Sequence, residues 1–360
     1  MSRAGLPPVI DRAPPRVEQA DLLAHDAPAI TPQRAAEIAR EIYGISGTIR
    51  PLGAEKDANF HITLAGGAEA LLKITNAAED PAVTDMQSRV LIHLAGADPS
   101  LPVPRVHATR GGAASATVQQ GGHTHVVRLL SYLPGTVLAG ATAPPGLHGA
   151  LGALLARLTV AMRGFFHPAA GHVLQWDIKQ AHRLRPMLEA ITDSALRARL
   201  TALLDRFDAD IAPRLPHLRA QVVHNDFNPH NILVNGAQPV GIIDFGDMVH
   251  TPIVCDLAVA CSYQIAAGPD PLAHIARLLA GYASILPPEP EEIALLPDLI
   301  RLRHATTLTL GAWRARRWPD NAAYILRNAA ASRKGLEALD AMPPGAPARA
   351  LRASVKETAR

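Results

Sequence analysis

The spacing of apolar residues changes once along the chain, near Pro134 and Gly135, and this change constrains the fold more than any other feature. Before it, from about residue 46, short apolar runs are bounded by Gly, Asp or Asn, which is typical of strands, and one helical segment interrupts them. After it, apolar residues recur at spacings of three and four, which indicates helices. The predicted fold class is therefore α+β, in which a small antiparallel lobe of five strands and one inserted helix precedes a larger, mainly helical lobe.

This division predicts the limits of the domains. Residues 1–30 are rich in Pro and Ala and lack periodicity, so we expect a disordered tail there. The N-terminal lobe is predicted over residues 31–133 and the C-terminal helical lobe over residues 134–341. Residues 342–360 are expected to form a loose tail.

The composition excludes several classes of protein. The 35 Lys and Arg residues against 32 Asp and Glu give a net charge of +3 without a long basic run, so no nucleic-acid partner is expected. No apolar stretch reaches the roughly 18 residues of a membrane-spanning helix, and the N-terminus lacks the apolar segment of a signal peptide. Cys255 and Cys261 have neither a redox nor a metal-binding spacing. We expect a cytoplasmic protein with no membrane partner, and the sequence leaves its oligomeric state open.

A dense polar cluster interrupts two apolar runs in the stretch VVHNDFNPHNILV, which covers residues 222–234. Polar side chains on a loop held by a rigid frame are typical of binding and catalytic sites. The polar residues of this stretch are His224, Asn225, Asp226, Asn228, His230 and Asn231.

The stretch NILVNGAQPVGIIDFGD follows and predicts a hairpin, because Asn-Gly separates two short apolar runs. If Asn235 pairs with Val240, then Asn231 lies opposite Asp244 at the open end of the hairpin. An amide oxygen and a carboxylate are hard donors that suit Mg²⁺. Asp226 is close enough in sequence to reach the same cavity, where a carboxylate can orient a substrate hydroxyl or accept its proton.

These groups fit phosphoryl transfer, which needs a divalent ion, a group that orients the nucleophile and a cation on the phosphates. The candidate cation is Lys73 in the apolar run EALLKIT, one of only five lysines in the chain. On its own, Lys73 could instead be a surface lysine on an edge strand. The motif GxxxxGK[ST] is absent from the sequence, which excludes P-loop chemistry.

The segments HNDFNPHN and IIDFGD resemble the catalytic and metal-binding motifs of the aminoglycoside phosphotransferase and choline kinase superfamily, which has a two-lobed protein-kinase-like fold. Four further stretches are similar to its hydroxylysine-kinase-like members: GAEKDANF, QWDIKQAH, GDMVHTPIVCDLAVA and RHATTLTLGAWR. The resemblance covers roughly residues 45–339.

The resemblance implies a role for each residue of the polar cluster that matches the family motifs. Asp226 is the expected catalytic base, and Asn231 and Asp244 are the expected Mg²⁺ ligands. His224 is the expected structural histidine that holds the catalytic loop. Lys73 is expected to contact the α- and β-phosphates of ATP or GTP.

The resemblance also implies where the rest of the nucleotide binds. GAEKDANF is expected to form the phosphate loop, with Asp57 and Asn59 as candidate nucleotide-binding residues, because backbone N–H groups in such turns bind phosphate oxygens. Ser131 and Leu133 bound the expected hinge that meets the nucleotide base.

One position departs from the family pattern. The Glu that usually pairs with the strand lysine is matched best here by Gln87, which we therefore include among the candidate nucleotide-binding residues. A neutral Gln can accept a hydrogen bond from Lys73 but holds it less tightly than a carboxylate does.

The sequence leaves other interpretations of individual residues open. His224, Asp226 and His230 could instead bind a catalytic zinc, since histidine and carboxylate are zinc ligands. Trp176 and Asp177 could line an acceptor pocket, or Asp177 could only cap a helix. Further residues with open roles are Asp247, which could contact metal or cap a turn, and Asp256, for which we prefer a structural role.

The expected activity is transfer of the γ-phosphate of ATP or GTP, with Mg²⁺, to a small hydroxylated amine. An amino alcohol or a hydroxylated amino acid such as hydroxylysine is the first candidate acceptor, on the resemblance alone. An aminoglycoside, choline, homoserine or a sugar is the alternative acceptor. A catalytically silent nucleotide-binding module is the alternative from a different class.

Overall fold

The computed structural model describes residues 27–53, 56–140 and 144–358, so the tail expected over residues 1–30 lies outside the described residues except for its last four. The strands are β1 Gly47–Leu52, β2 Ala58–Leu64, β3 Glu69–Ile74, β4 Val106–His107, β5 Ala116–Gln120, β6 His123–Ser131, β7 Thr136–Val137, β8 Ala220–Val223, β9 Ile232–Asn235, β10 Gln238–Ile242 and β11 Val249–Pro252. The helices are α1 Pro32–Ile38, α2 Pro81–Ala97, α3 Leu147–Ala161, α4 Ser194–Arg206, α5 Ile253–Ser262, α6 Ala273–Ala283, α7 Pro290–Arg317, α8 Ala322–Ile325, α9 Ala329–Asp340 and α10 Ala346–Thr358.

The N-terminal lobe is an antiparallel sheet with α1 and α2 beside it. Five strands were predicted and the sheet has six, because the two-residue strand β4 also pairs with β6; the strand order is β1-β2-β3-β6-β4, with β5 on β6. Alternation along β3 buries Ala70, Leu72 and Ile74 in the apolar cluster beneath α1. Because successive side chains on a strand point to opposite faces, Lys73 is directed away from that cluster. The sequence of β3 therefore places a cation on the other face of the sheet.

The C-terminal lobe is mainly helical, as predicted. Its core is built around α3, α5, α6 and the long helix α7, and it also holds two small sheets, β7-β9-β10 and β8-β11. Helices α3 and α6 pack with their backbones in contact: a Cβ at Gly152 would overlap the carbonyl group of Leu278, and a Cβ at Gly281 would overlap that of Gly149. Glycine at these positions is what permits such close packing of the two helices.

The loose tail expected over residues 342–360 is wrong for most of its length. Helix α10 covers residues 346–358 and packs against α6 and α7, with Leu351 fully buried and Val355 packed against the same core. The apolar residues at a spacing of four give the helix one face that can be buried. Within the described residues, none of the helices combines the length and the apolar composition that crossing a membrane requires.

Candidate active site

The hairpin of β9 and β10 forms, but its predicted register is wrong. Asn235 pairs with Gln238 rather than with Val240, so the turn contains only two residues. An irregularity between Pro239 and Gly241 then shifts the pairing by one residue. As a result Asn231 lies opposite Ile243, whose N–H donates to the Asn231 carbonyl at 2.9 Å, and not opposite Asp244.

Despite that shift, Asn231 and Asp244 both line one cavity between the two lobes, with a volume of about 380 Å³. Asp226 and Lys73 line it as well, so four of the predicted site residues converge. Three candidate nucleotide-binding residues also line it, namely Asp57, Asn59 and Gln87. Ser131 is the last residue of β6 and Leu133 follows that strand, and neither is among the lining residues.

The carboxylate of Asp226 is held by side chains of its own loop. The side-chain amide of Asn228 donates to one oxygen at 2.8 Å, and the amide of Asn231 donates to the other at 2.6 Å. The guanidinium group of Arg303 lies 3.4 Å from the first oxygen. Burial, and then the nearby charge of Asp247, raise the pKa of Asp226, while Arg303 acts in the opposite direction. The site therefore contains carboxylates that repel one another.

His224 lies behind the loop and fixes its shape. Its Nε2 is 3.1 Å from the carbonyl oxygen of Ile243, and its Nδ1 accepts a hydrogen bond from the N–H of Asp226 at 3.3 Å. Its ring stands edge-on to Phe245. Burial lowers the pKa of His224 to about 4, so the imidazole is neutral, with one nitrogen accepting and the other donating.

The zinc interpretation fails on this geometry, because both ring nitrogens of His224 are already engaged. Across the described part of the chain, no group of three or more His, Cys, Asp and Glu side chains could hold a metal ion. A magnesium site built from one carboxylate, one amide oxygen and substrate phosphates does not need such a group.

Two residues of the site have backbone conformations in the left-handed region. Asn225 has φ 61° and Asp244 has φ 60°, and they are the only non-glycine residues with positive φ in the described ranges. The buried carboxylate of Asp256 accepts a hydrogen bond from the N–H of Asn225 at 2.8 Å. Asp256 therefore stabilises the strained loop through this hydrogen bond, which agrees with the structural role preferred for it.

Asp244 lies in a cationic environment. Burial raises its pKa, but Lys73 and Lys56, together with His224, outweigh this effect, so the pKa lies below its ordinary value. The carboxylate is thus ionised in the presence of two lysines. Asn231 directs its amide group to Asp226, which leaves its amide oxygen available to the cavity.

The lysines are paired differently from the family pattern. The carboxylate of Asp57 lies 3.5 Å from Lys73, whereas the sequence suggested Gln87 on α2 as the partner. A second lysine that the sequence analysis did not single out, Lys56, pairs with Glu79 at 2.7 Å. Since Asp57 precedes β2 and faces β3, only the three-dimensional structure shows that it reaches Lys73.

Asn59 is a neighbour of this pair, since it lies directly opposite Lys73 in the pairing of β2 with β3. Its side-chain oxygen is buried without a hydrogen-bond partner among the described residues. Asn59 thus offers a hydrogen-bond acceptor on the side of the cavity formed by the N-terminal sheet.

Of the two open acceptor-pocket candidates, Trp176 lines the cavity and Asp177 does not. Asp177 is buried, caps the following helical turns by accepting from the N–H of Lys179 at 3.0 Å, and accepts from the Thr251 hydroxyl at 2.8 Å. Asp247 does line the cavity, and burial, opposed by Lys56, raises its pKa. Asp177 therefore has a structural role, and Asp247 belongs to the site.

Sequence reasoning missed three arginines of the cavity: Arg303, Arg314 and Arg327. The signal that could have found two of them is their spacing in RHATTLTLGAWR: Arg303, Thr307 and Arg314 share one face of α7, and all three line the cavity. Arg303 is only 3% exposed, donates to the Trp176 carbonyl at 2.9 Å and lies over the Trp176 ring at 5.3 Å.

Comparison with known proteins agrees with this arrangement. A family model described as APH, phosphotransferase enzyme family, matches residues 48–296. A hydroxylysine kinase of Danio rerio is 27% identical over 327 residues, which cover 87% of this chain and 91% of that protein. A hydroxylysine kinase of Bos taurus is 27% identical over 337 residues, which cover 86% of this chain and 89% of that protein.

Two solved structures have a similar fold. One is an amicoumacin kinase in complex with AMP-PNP and Ca²⁺, with a TM-score of 0.66 and 19% identity, over 87% of this chain and 95% of that one. The other is a microcompartment-associated aminopropanol kinase, with a TM-score of 0.60 and 20% identity, over 84% and 97% of the two chains. Together with the sheet and helical lobes described above, these similarities confirm the predicted two-lobed, kinase-like fold.

Proposed function

The chain belongs to the phosphotransferase enzyme family and is a kinase of small molecules, and from this premise we propose its specific reaction. The enzyme transfers the γ-phosphate of ATP or GTP to the hydroxyl group of a hydroxylated amino acid or an amino alcohol, with hydroxylysine as the first candidate. The observation that carries the proposal is the convergence of Asp226, Asn231, Asp244 and Lys73 on one cavity between the lobes.

Asp226 is proposed to orient the acceptor hydroxyl for attack on the γ-phosphate and to take up its proton. The raised pKa of this carboxylate supports the role, because a base works best when its pKa lies near the operating pH. Asn228 and Asn231 hold the two carboxylate oxygens from the loop side. His224 is proposed to keep that loop in place through Ile243 and the backbone of Asp226.

Asn231 and Asp244 are proposed to hold Mg²⁺. The donor set fits this ion, since both residues offer hard oxygen atoms and Asp244 is ionised. The like charges of Asp226, Asp244 and Asp247 in one cavity also favour a bound cation there. When bound, the ion would neutralise charge on the phosphate oxygens during transfer.

Lys73 is proposed to bind the α- and β-phosphates, with Lys56 as a second cation on the same side. Both lysines line the cavity and both depress the pKa of Asp244, so their charges act at the place where phosphates and metal would meet. Asp57 and Glu79 hold the lysines in position through ion pairs.

The remaining nucleotide contacts are proposals from the family pattern. Asn59 and Gln87 line the nucleotide side of the cavity and are proposed to bind the nucleotide together with Asp57. Ser131, the last residue of β6, and Leu133, two residues after it, are proposed to meet the base. For Ser131 the hydroxyl already accepts a hydrogen bond from the N–H of Arg105 at 2.9 Å, which fixes the end of β6.

Support for the acceptor comes from the curated relatives. The hydroxylysine kinases match over 86% to 89% of this chain and over 89% to 92% of their own lengths. Similarity over that share of both chains favours an amino-acid-like acceptor.

The test is release of nucleoside diphosphate in a coupled assay with ATP or GTP and Mg²⁺ against a panel of acceptors. The panel contains hydroxylysine, homoserine, amino alcohols, choline, an aminoglycoside and a sugar. We expect release that depends on hydroxylysine or a close analogue, and none with the Asp226→Ala variant. Preferential turnover of a sugar or an aminoglycoside would contradict the proposed acceptor, and absence of nucleotide binding would contradict the whole assignment.

A further inference from the structure

Arg128 in β6 is a buried charge that the proposed mechanism does not use. It is only 2% exposed and is among the largest fully buried side chains of the described residues. Its Nε and Nη2 atoms are buried and have no hydrogen-bond partner in the part of the chain that the structure describes. Unpaired buried donors on a charged group destabilise a folded protein, so their retention here points to a role.

The register of the sheet places Arg128 beside Lys73. The two residues lie directly opposite each other in the antiparallel pairing of β3 with β6. Val127 and Leu129, on either side of Arg128, belong to the apolar cluster beneath α1. Because successive side chains on a strand point to opposite faces, Arg128 lies on the other face of the sheet, as Lys73 does. Arg128 therefore accompanies the lysine that is proposed to bind the phosphates.

A carboxylate compensates both of these cations. Like charges at directly opposite positions of a strand pair repel each other, and an anion shared between them offsets the repulsion. Burial lowers the pKa of Arg128, and the charge of Asp57 is the strongest of those that act in the opposite direction. The carboxylate of Asp57 also lies 3.5 Å from Lys73. Asp57 thus interacts with both cations.

The other two carboxylates that act on Arg128 have different partners. Glu79 pairs with Lys56 at 2.7 Å. Asp244 also acts on Arg128, but it is proposed to hold Mg²⁺. Asp57 therefore remains as the carboxylate that Arg128 can hold.

The ion pair between Asp57 and Lys73 is loose. Its separation of 3.5 Å exceeds the roughly 2.7–2.9 Å of a charge-assisted hydrogen bond. One oxygen of the Asp57 carboxylate accepts from the backbone N–H of Asn76 at 3.1 Å, which keeps this carboxylate in place. If Lys73 moves to a phosphate, Asp57 stays behind as a buried charge, which is strongly unfavourable unless another cation is close.

We propose that Arg128 is a positioning residue for nucleotide binding. When Lys73 turns to the phosphates, the Asp57 carboxylate accepts hydrogen bonds from the N–H groups at Nε and Nη2 of Arg128. Arg128 does not line the cavity, so it acts through Asp57 and not on the nucleotide itself. A carboxylate on the sheet, held by a buried arginine, thus replaces the usual carboxylate on α2, where this chain has Gln87. The inference rests on the proposed kinase function and extends it to how Lys73 is made available.

The experiment measures binding of AMP-PNP with Mg²⁺, and of adenosine, by calorimetric titration of the full-length protein. Arg128→Met removes the charge and keeps a long apolar side chain. We expect this variant to raise Kd for AMP-PNP roughly 10- to 100-fold, because Lys73 then has to stay with Asp57. Kd for adenosine, which carries no phosphate, should change by less than about 3-fold. Equal weakening of both ligands would show a merely structural arginine and would overturn the inference.

Two further variants show whether the effect passes through Asp57. Arg128→Lys keeps the positive charge and should recover most of the lost affinity for AMP-PNP. In the Asp57→Asn background, Arg128→Met should change Kd for AMP-PNP by less than about 3-fold, because no buried carboxylate is left to hold. The same loss in both backgrounds would overturn the inference. Arg50→Met is the matched control and should bind both ligands as wild type does, since Arg50 is exposed on β1 of the same sheet and does not line the cavity.

The folding of Arg128→Met decides which variant is compared. If it does not fold, the double variant Arg128→Met with Asp57→Asn takes its place, because it removes both charges of the pair together. A folded double variant supports the inference, and an unfolded one overturns it. If wild type and Arg128→Met bind AMP-PNP equally well, the inference is wrong and the proposed kinase function stands. If wild type binds no AMP-PNP, the proposed function fails and the inference fails with it.

Discussion

Replacing Asp226 by Asn should remove most of the activity while leaving the protein folded. In the structure, one carboxylate oxygen accepts from the amide of Asn228 and the other from the amide of Asn231. An amide at position 226 offers only one oxygen, so its own NH₂ group must face one of these two donors. The substitution therefore removes the base and also disturbs either Asn228 or the proposed metal ligand Asn231.

The size of the effect follows from these two losses. A positioned general base contributes roughly 10²- to 10⁴-fold to a rate, which is about 3–5 kcal/mol of transition-state stabilisation. The free energy of unfolding should rise or stay the same. The raised pKa of Asp226 means that ionisation of this carboxyl group destabilises the folded state, and the substitution removes that charge. We therefore expect a fall in kcat of about 1,000-fold with no decrease in the free energy of unfolding at pH 8.

The assay is initial-rate nucleoside diphosphate release at saturating nucleotide, with urea unfolding on the same preparations. Asp320→Asn is the matched control, since Asp320 is exposed and does not line the cavity. A variant at position 226 that retained more than about a tenth of wild-type kcat would refute the reasoning, since a base on the reacting hydroxyl contributes far more than that. A large fall in stability would show instead that Asp226 is mainly structural.

Three further predictions concern stability and nucleotide binding. Gly152→Ala should destabilise the fold by about 1–3 kcal/mol or more, because its Cβ would overlap the carbonyl group of Leu278, whereas Gly96→Ala, which meets no atom within 4 Å, should be neutral or stabilising in thermal unfolding. Burial lowers the pKa of His304 to about 4, so its neutral form contributes stability above pH 6.5 that is lost as the pH falls towards 4. Urea unfolding of wild type should show about 2 kcal/mol more loss between pH 7.5 and pH 5 than His304→Gln does. Lys73→Met should lower kcat/KM for the nucleotide roughly 100-fold, because a cation of a buried pair is removed, and an unchanged KM for ATP would contradict its role.

Much of the site was predictable because it depends on local patterns. The alternation in EALLKIT fixes which face of the sheet Lys73 occupies, and the polar loop between two apolar runs marks where functional groups gather. Asp226, Asn231 and Asp244 line one cavity although the hairpin register was predicted wrongly. A register shift of one residue at the mouth of the cavity still leaves the side chains of Asn231 and Asp244 within it.

What the sequence could not supply was long-range pairing. The irregularity between Pro239 and Gly241 depends on how the hairpin packs, so no local sequence pattern predicts it. The ion pair of Lys73 with Asp57 joins a residue of β3 to the residue that precedes β2. Arg303 looks like any helical arginine until its neighbours bury it. The helix over residues 346–358 was missed because its apolar face is short and becomes evident only against α6 and α7.

The strained backbone at Asn225 and Asp244 also has a consequence for how the protein can be improved. Each left-handed residue costs about 1 kcal/mol or more relative to a relaxed conformation, and here both adjoin the groups proposed for catalysis. A screen that selects for heat resistance without measuring activity should therefore select substitutions at these two positions, because glycine relieves the backbone strain at either one. Substitutions there are the ones that laboratory evolution for thermostability should accumulate first and that selection for turnover should remove.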